Sequence, residues 1–320
     1  CSAIAAALVR AVSVICLAKL PATQRVKVRL RELLPFVSFG APHIGQRLVN
    51  QVYSNIDVML IGAIIGAPEA GIYAVAQQCI VLVAGKVNMV FGRVFFPLLA
   101  RSKHDRSRVK SAYLRLQRYT AFVNLPLLAG LAAVAPVAFP LFLGDSWRGS
   151  IPIVQLLAVV AITRAIAGTV GPLLLVVGQT KRGFSWSILA LALQSVGMWV
   201  GVGTGSLIGA ASASVTVSLI LLPLNYLLIV RPIVGACASA YFRTLAAPLW
   251  QSVAMAVVVC AVAGFVHSGG VSRSPQAVLA LSLEVIAGVI AYLLLAWGTN
   301  RSQMREAIAM LFRKESAGAS

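Results

Sequence analysis

Apolar blocks of about 20 residues, separated by short basic segments, fill most of this 320-residue chain. Hydrophobic residues make up 59% of the sequence and charged residues only 11%, whereas a soluble domain carries about 25% charged residues. The mean hydropathy is +0.90. So few charges cannot cover a soluble surface, and only helices or closed barrels cross a bilayer. The pattern therefore predicts an all-α, polytopic transmembrane bundle.

Nine membrane spans are predicted from the apolar blocks. They lie at roughly 2–20, 35–63, 70–98, 119–143, 151–177, 184–203, 207–230, 248–266 and 276–297. The predicted organisation is the end of an N-terminal lobe at 1–20, a cytoplasmic linker at 21–34, a six-span core at 35–230, two accessory spans at 231–297, and a cytoplasmic amphipathic tail at 298–320.

The net charge of +19 is distributed as membrane topology requires. On the nine-span interpretation, one side of the membrane carries 20 of the 27 basic residues and the other side carries two. This asymmetry predicts a multi-pass protein of the bacterial inner membrane with a cytoplasmic C-terminus. It also argues against nucleic acid as a partner, because the basic residues form short loops rather than one basic face.

Five basic residues remain inside the predicted spans, where a charge costs about 2.5–3.5 kcal/mol and usually faces a bundle interior or a wet cavity. Arg47 belongs to a stripe of polar residues with helical spacing, which predicts the wall of a water-filled cavity. The alternative is a salt bridge within the bundle, to Asp57 or Glu284. The stripe comprises His43, Arg47, Asn50, Ser54 and Asp57. The other four basic residues within the predicted spans are Arg10, Lys86, Arg93 and Arg164.

Lys86 and Arg164 lie near the centres of their spans, each with a glutamine on a nearby part of the same helix. Gln78 and Gln155 are those glutamines, and both are predicted to bind substrate. Arg93 lies nearer the cytoplasmic end of its span. It is predicted at the edge of the cavity, with snorkelling to the interface as the alternative.

Asp57 and Glu284 are the only acidic residues deep in the spans. Each is predicted either to bind a coupling proton or cation or to neutralise a buried arginine. The basic residues outnumber them, so a cavity that they line favours an anionic cargo. Arginine suits phosphate in particular, because its planar fork binds two oxygens at once.

No catalytic motif, cofactor motif or metal site is predicted. The three histidines are scattered, the five cysteines form no CxxC pair, and no P-loop or HExxH sequence occurs. Gly201, Gly203, Gly205 and Gly209 are typical of a loop and of helix packing rather than of a phosphate-binding loop. The chain is therefore predicted to be a transporter and not an enzyme.

A series of short motifs runs through the stretch 55–97 and continues beyond it. They are Asn55, Asp57, Ile61-Gly62, Gly66, Gly71-Ile72-Tyr73, Ala76, Phe96-Pro97, Tyr113, Leu125-Pro126, Leu143–Trp147 and Val177–Gln179. With these motifs the chain resembles the polysaccharide flippases of the multidrug/oligosaccharidyl-lipid/polysaccharide exporter superfamily. The resemblance extends over roughly residues 1–300 and is closest to the colanic-acid-type exporters of lipopolysaccharide and exopolysaccharide biosynthesis.

The resemblance implies a transporter of fourteen helices in two lobes, of which the nine spans would be the last nine. It implies movement of an undecaprenyl-pyrophosphate-linked oligosaccharide across the inner membrane, with polymerase and glycosyltransferases as further partners. On this hypothesis Arg47, Lys86 and Arg164 hold the pyrophosphate, and Asn50, Gln78 and Gln155 bind the sugars. About five N-terminal helices would then precede the chain.

Three other functions compete with this interpretation. A drug or organic-cation antiporter of the same superfamily needs a deep acidic site, which the surplus of deep basic residues disfavours. A membrane glycosyltransferase or polymerase usually has acidic catalytic residues and large loops outside the cytoplasm, and the predicted loops are short. A non-functional fragment is expected if the N-terminal helices are absent in the cell.

Overall fold

A computed structural model describes the backbone of residues 30–101, 105–266 and 275–299, and the side chains of 40–85, 105–265 and 278–298. The chain divides into two compact units, Cys1–Ala41 and Pro42–Ser320, and the packing described below belongs to the second unit. Within the described residues every regular element is helical. The all-α prediction is therefore confirmed. The predicted span at 2–20, Arg10 and the tail at 298–320 lie outside the described residues, except for the first residues of the tail.

The described residues form ten α-helices, a 3₁₀ turn at Asp145–Ser150 and a π-helical turn at Tyr226–Val230. The helices are α1 Leu30–Ile64, α2 Ala67–Arg101, α3 Arg106–Leu143, α4 Ile151–Gly168, α5 Val170–Val177, α6 Thr180–Val202, α7 Leu207–Asn225, α8 Arg231–Val234, α9 Ala238–Val266 and α10 Pro275–Thr299.

Seven helical segments of the described residues are long and apolar enough to cross a membrane. They match the last seven of the nine predicted spans. Helix α1 covers the predicted span at 35–63, but it is not among the seven segments, because its described part is rich in polar residues. The seven segments are Ala67–Gly85, Arg106–Leu143, Asp145–Val177, Thr180–Val202, Leu207–Val234, Ala238–Phe265 and Val278–Gly298.

Helix α3 begins 13 residues before the predicted span at 119–143. Asp105 caps it: its carboxylate accepts hydrogen bonds from the backbone N–H groups of Ser107 and Arg108, at 2.8 and 3.3 Å. The first turns bury Val109 and Tyr113 and expose arginines, so this basic segment continues the membrane helix. At 38 residues, α3 is much longer than the roughly 30 Å hydrocarbon core requires, and one end must protrude.

The loss of the Asp105 carboxylate is expected to fray the start of α3. Hydrogen bonds from the Ser107 hydroxyl and from backbone N–H groups hold the pKa of Asp105 below its usual range. The cap therefore contributes fully above the usual carboxyl pKa, and its contribution is lost as the pH falls through the lowered value. Asp105→Ala should reduce hydrogen-exchange protection of the amide of Val109 at neutral pH. Asp105→Asn should keep the cap at every pH, and unchanged protection in Asp105→Ala would contradict this account.

Two large hydrophobic cores, one towards each end of the bundle, pack most of the helices together. The core at the end where α3 begins contains Tyr113, Leu173, Val230 and Tyr241. The other core includes Ile61, Tyr73, Ile153, Met198 and Ala210. Ile162 of α4 packs against both cores, so the middle of α4 lies between them.

The helix that corresponds to the predicted span at 151–177 is broken. Helix α4 ends at Gly168 and α5 begins at Val170. The Thr169 hydroxyl lies at the break, where it donates to the carbonyl of Ile166 at 2.8 Å and contacts the Tyr113 hydroxyl at 3.3 Å. Satisfied polar groups of this kind allow a break within a membrane helix.

Candidate functional site

A buried carboxylate lies between the two cores. Asp57 of α1 is 1% exposed, and three helices supply its partners. The amide Nε2 of Gln194 in α6 donates to Oδ1 at 2.8 Å. Arg164 of α4 approaches Oδ2 with Nη2 at 3.4 Å, and the Tyr73 hydroxyl of α2 lies 3.4 Å from the same oxygen. The carboxylate is therefore both charge-paired and hydrogen-bonded, as a buried charge requires.

Ser214 extends this network to α7. Its hydroxyl accepts a hydrogen bond from Gln194 Nε2 at 3.1 Å and lies 3.4 Å from the Tyr73 hydroxyl. It donates in turn to the sulfur of Met198 at 3.0 Å. Asp57 and its neighbours thus connect five helices at the level of the bundle where the two cores meet.

Arg164 is held by Asp57 on one side and remains accessible on the other. Its side chain is 28% exposed, and its guanidinium lies over the Tyr53 ring, 4.7 Å from the centroid. Its Nε has no hydrogen-bond partner among the described residues. Because only Nη2 contacts Asp57, the guanidinium keeps donors for a ligand.

Arg164 lines two cavities. The larger has a volume of about 320 Å³ and lies between α1, α4, α5, α6 and α7, and the smaller, of about 210 Å³, lies between α2 and α4. Trp186 and several leucines complete the larger cavity. Its polar lining residues are Gln46, Asn50, Tyr53, Ser54, Thr163, Arg164, Ser187, Ser218 and Asn225.

The cavities include some of the residues predicted to bind substrate. Asn50, like Arg164, lines the larger cavity, whereas Arg47 is exposed and lines neither. Gln78 is also exposed, and it is the adjacent Gln77 that lines the smaller cavity. Gln155 lies on an exposed part of α4 and donates to the carbonyl of Ala132 at 3.3 Å.

Lys86 and Arg93 belong to α2, but their side chains lie outside the described residues. Glu284 is buried in α10, apart from Asp57. It lines a largely apolar cavity of about 450 Å³ together with Phe122 and Met255. The structure therefore brings Asn50, Asp57 and Arg164 together, and it pairs Asp57 with Arg164 rather than with Arg47.

Neutral polar residues on α6 and α7 complete the site, and none of them was among the predicted site residues. Asn225 is 1% exposed, lines the larger cavity, and its Oδ1 has no partner among the described residues. Ser214, Ser218 and Asn225 follow one another at steps of four and seven residues along α7. This helical periodicity in an apolar segment is the signal that could have identified them.

Comparisons with known proteins find relatives in polysaccharide biosynthesis. Residues 1–152 match the model of a family described as "Polysaccharide biosynthesis protein". The teichuronic acid biosynthesis protein TuaB of Bacillus subtilis is 32% identical over 269 residues, which are 83% of this chain and 54% of that protein. The lipopolysaccharide biosynthesis protein WzxC of Escherichia coli is 27% identical over 72% of this chain and 46% of its own length. The chain thus spans about half the length of these curated relatives.

The fold also matches a solved structure. The lipid II flippase MurJ, in an inward closed conformation, superposes with a TM-score of 0.67 at 13% sequence identity. The match covers 89% of this chain and 58% of that one. At this identity the match concerns the fold, which is that of a multi-pass membrane transporter. The resemblance drawn from the sequence is thereby confirmed: over about half of their length, the chain is similar to the polysaccharide flippases of the multidrug/oligosaccharidyl-lipid/polysaccharide exporter superfamily.

Proposed function

We propose that this chain forms part of a flippase that moves an undecaprenyl-pyrophosphate-linked oligosaccharide across the bacterial inner membrane for polysaccharide biosynthesis. The two lobes of the whole transporter alternate between openings to the two sides of the membrane. The names of the relatives support the cargo class, since they describe teichuronic acid and lipopolysaccharide biosynthesis. The protein carries out no covalent chemistry on this cargo.

The observation that carries the proposal is the unequal exposure of the central ion pair. The Arg164 side chain is 28% exposed and lines both cavities, whereas the Asp57 side chain is 1% exposed and lies behind it. A ligand in either cavity therefore meets the cation first. Such a cavity favours an anion over an organic cation, and the arginine donors suit a pyrophosphate. In this arrangement Asp57 neutralises and positions the arginine.

Neutral groups around the larger cavity suit the sugar part of the cargo. Asn50 and Ser54 of α1 face it from one side, and Ser218 and Asn225 of α7 face it from the other. Amides and hydroxyls both donate and accept hydrogen bonds, as sugar hydroxyls do. Their neutrality allows them to bind sugars without opposing the charge of the pyrophosphate.

The exposed polar face of α1 supports a wet cavity. Arg47, Asn50 and Ser54 recur at steps of three and four residues, and all three are exposed. Exposed polar side chains of this kind within a membrane helix face water or protein rather than lipid. In this proposal Arg47 meets the cargo from the exposed face of α1, outside the cavity that Arg164 lines. Lys86 of α2 is proposed as a further cation for the same anionic cargo.

The arrangement of basic residues supports a cytoplasmic location for the end of the bundle where α3 begins. Arg106 of α3 donates to the carbonyls of Pro232 and Ile233, at 3.2 and 3.1 Å. Pro232 in turn lines a surface cavity with Lys181 and Arg182. Three basic segments, distant in sequence, thus meet at one end, as the positive-inside rule expects of a cytoplasmic face.

Complementation of a strain that lacks its own exporter tests the proposal. The full-length protein should restore surface polymer and deplete the lipid-linked oligosaccharide that accumulates without export. Resistance to cationic drugs, measured on the same strain, separates the exporter from an antiporter. Drug resistance without surface polymer would overturn the proposal in favour of the antiporter.

Removal of the Asn225 amide is expected to lower export several-fold without unfolding the protein. Asn225→Leu keeps the approximate side-chain volume and loses a buried polar group that faces the cavity, and one neutral hydrogen bond contributes about 0.5–1.5 kcal/mol, or up to about tenfold. Thr216→Val is the matched control, since the Thr216 hydroxyl bonds within α7, to the carbonyl of Ser212, away from the cavity. Equal polymer export by the two variants, measured at equal protein abundance, would rule out a role for Asn225.

A further inference from the structure

A surface cavity at the end of the bundle where α3 begins combines a cationic rim with an apolar wall. Its volume is about 430 Å³. One wall is the start of α6 and the other is the π-helical turn with α8. The lining residues are Lys181, Arg182, Ser185, Trp186, Leu189, Leu228, Ile229 and Pro232.

The polarity of this cavity changes along α6. Lys181 and Arg182 lie in its first turn, Ser185 and Trp186 follow one turn later, and Leu189 lies about 12 Å from Lys181 at 1.5 Å per residue. Cation, then hydroxyl and indole, then leucine is the order in which a phospholipid presents its phosphate, its glycerol region and its acyl chain.

Among the described residues, no carboxylate lines this cavity. The sequence contains no Asp or Glu between Asp145 and Glu284. Neither Lys181 nor Arg182 belongs to any of the ion pairs formed among the described residues. Arg106 adds a further positive charge at the rim, since its Nη2 donates to the carbonyl of Pro232.

The opposite wall supplies a surface for a hydrocarbon chain. Leu228 is 46% exposed within the π-helical turn, whereas Ile229 beside it is buried. Leu189 faces the same cavity from α6 and is 37% exposed. Apolar side chains exposed below a cationic rim fit an amphiphile that enters from the membrane better than they fit a soluble anion.

We propose that this cavity binds one anionic phospholipid of the membrane, with its phosphate between Lys181 and Arg182 and an acyl chain along Leu189 and Leu228. The site shares Trp186 with the larger cavity but does not include Arg164, and it stands whether or not the chain flips lipid-linked sugar. Basic pockets between membrane helices recognise anionic headgroups through this combination of charge and depth.

Native mass spectrometry of the purified full-length protein tests the proposal. The protein is titrated with phosphatidylglycerol, with phosphatidylcholine of the same chains, and with undecaprenyl pyrophosphate. One phosphatidylglycerol should remain bound in preference to phosphatidylcholine. Lys181→Ala with Arg182→Ala should weaken its retention about 10- to 30-fold, since each basic side chain near an anionic surface contributes about 1 kcal/mol.

Arg115→Ala with Arg118→Ala is the charge-matched control, because both arginines are exposed on the basic part of α3 and line no part of this cavity. This pair should leave the retention of phosphatidylglycerol within about twofold of wild type, as expected for distant, independent sites. Three outcomes would overturn the proposal: equal losses in the two double variants, equal retention of phosphatidylcholine, or displacement of phosphatidylglycerol by undecaprenyl pyrophosphate, which would assign the cavity to cargo.

Discussion

Arg164→Ala is expected to abolish polymer export by the full-length protein and to destabilise its fold. The exposed part of the guanidinium supplies the cationic donors of both cavities, so its removal deprives the cargo of this central cation. Its buried side neutralises Asp57, which stays 1% exposed. Breaking a buried ion pair costs about 3–5 kcal/mol, and the lower value is expected because Gln194 still donates to the carboxylate.

A second substitution separates these two effects. Asp57→Asn in the Arg164→Ala background removes the unpaired charge, and we expect it to restore most of the lost stability but none of the export. Arg164→Lys should keep the positive charge and restore export only in part, since a single ammonium lacks the planar fork. Surface polymer reports export, and protein abundance in the membrane with thermal unfolding reports stability.

Arg148→Ala is the matched control for charge. Arg148 is exposed and pairs with Asp145 at 3.0 Å, outside both cavities, so this variant also removes one positive charge and one ion pair. It should export at the wild-type level. Wild-type export by Arg164→Ala, or recovered export in the double variant with Asp57→Asn, would refute the role of Arg164.

Gly201→Val is expected to cause the largest loss of stability among substitutions at the interface of α6 and α7. A Cβ at Gly201 would lie 2.5 Å from the Cβ of Ala213, 2.8 Å from the carbonyl oxygen of Gly209 and 3.1 Å from the Cα of Ala210. Backbone atoms cannot rotate away, so the two helices must separate. Overpacking of this kind costs about 1–3 kcal/mol for flexible neighbours, and more than about 3 kcal/mol is expected here.

Moving α6 and α7 apart should also disturb the candidate site. Gln194 and Ser214 lie on these two helices and share a hydrogen bond of 3.1 Å. Gly201→Val should therefore lower both the unfolding temperature and polymer export. Gly264→Val in α9 is the control, because nothing lies within 4 Å of a Cβ built there. An unchanged unfolding temperature in Gly201→Val would show that the interface tolerates the added volume.

The membrane helices could be predicted well because each one is marked by the length of its own apolar block and by the basic residues in the loops beside it. Seven of the predicted spans appear among the described residues, and of the four glycines predicted to form a loop and helix packing, Gly201 and Gly209 are the ones that pack closely. The start of α3 differs most from its predicted position, and helix capping explains the difference. Asp105 starts α3 before the apolar block, so the basic segment lies in the same helix as the span.

The site was harder to predict because its contacts are distant in sequence. Asp57 and Arg164 were both identified as costly charges, but their pairing joins residues 107 positions apart. The spacing of polar residues along one helix also cannot show which of two adjacent residues faces a cavity. Gln78 was therefore predicted to bind substrate, although Gln77 lines the smaller cavity. Gln194 and Ser214 were missed because neutral polar residues cost less in a membrane than charges do, so they stand out less in an apolar sequence.

The break at Thr169 has a mechanical consequence. Helix α4 contributes Ile153 and Val154 to one core, and α5 contributes Leu173 and Leu174 to the other. The two cores meet within α4, before this break, and the 38-residue α3 runs through both of them. A change of angle at Thr169 therefore displaces α5, which lines the larger cavity, and it costs contacts in the core to which α5 belongs.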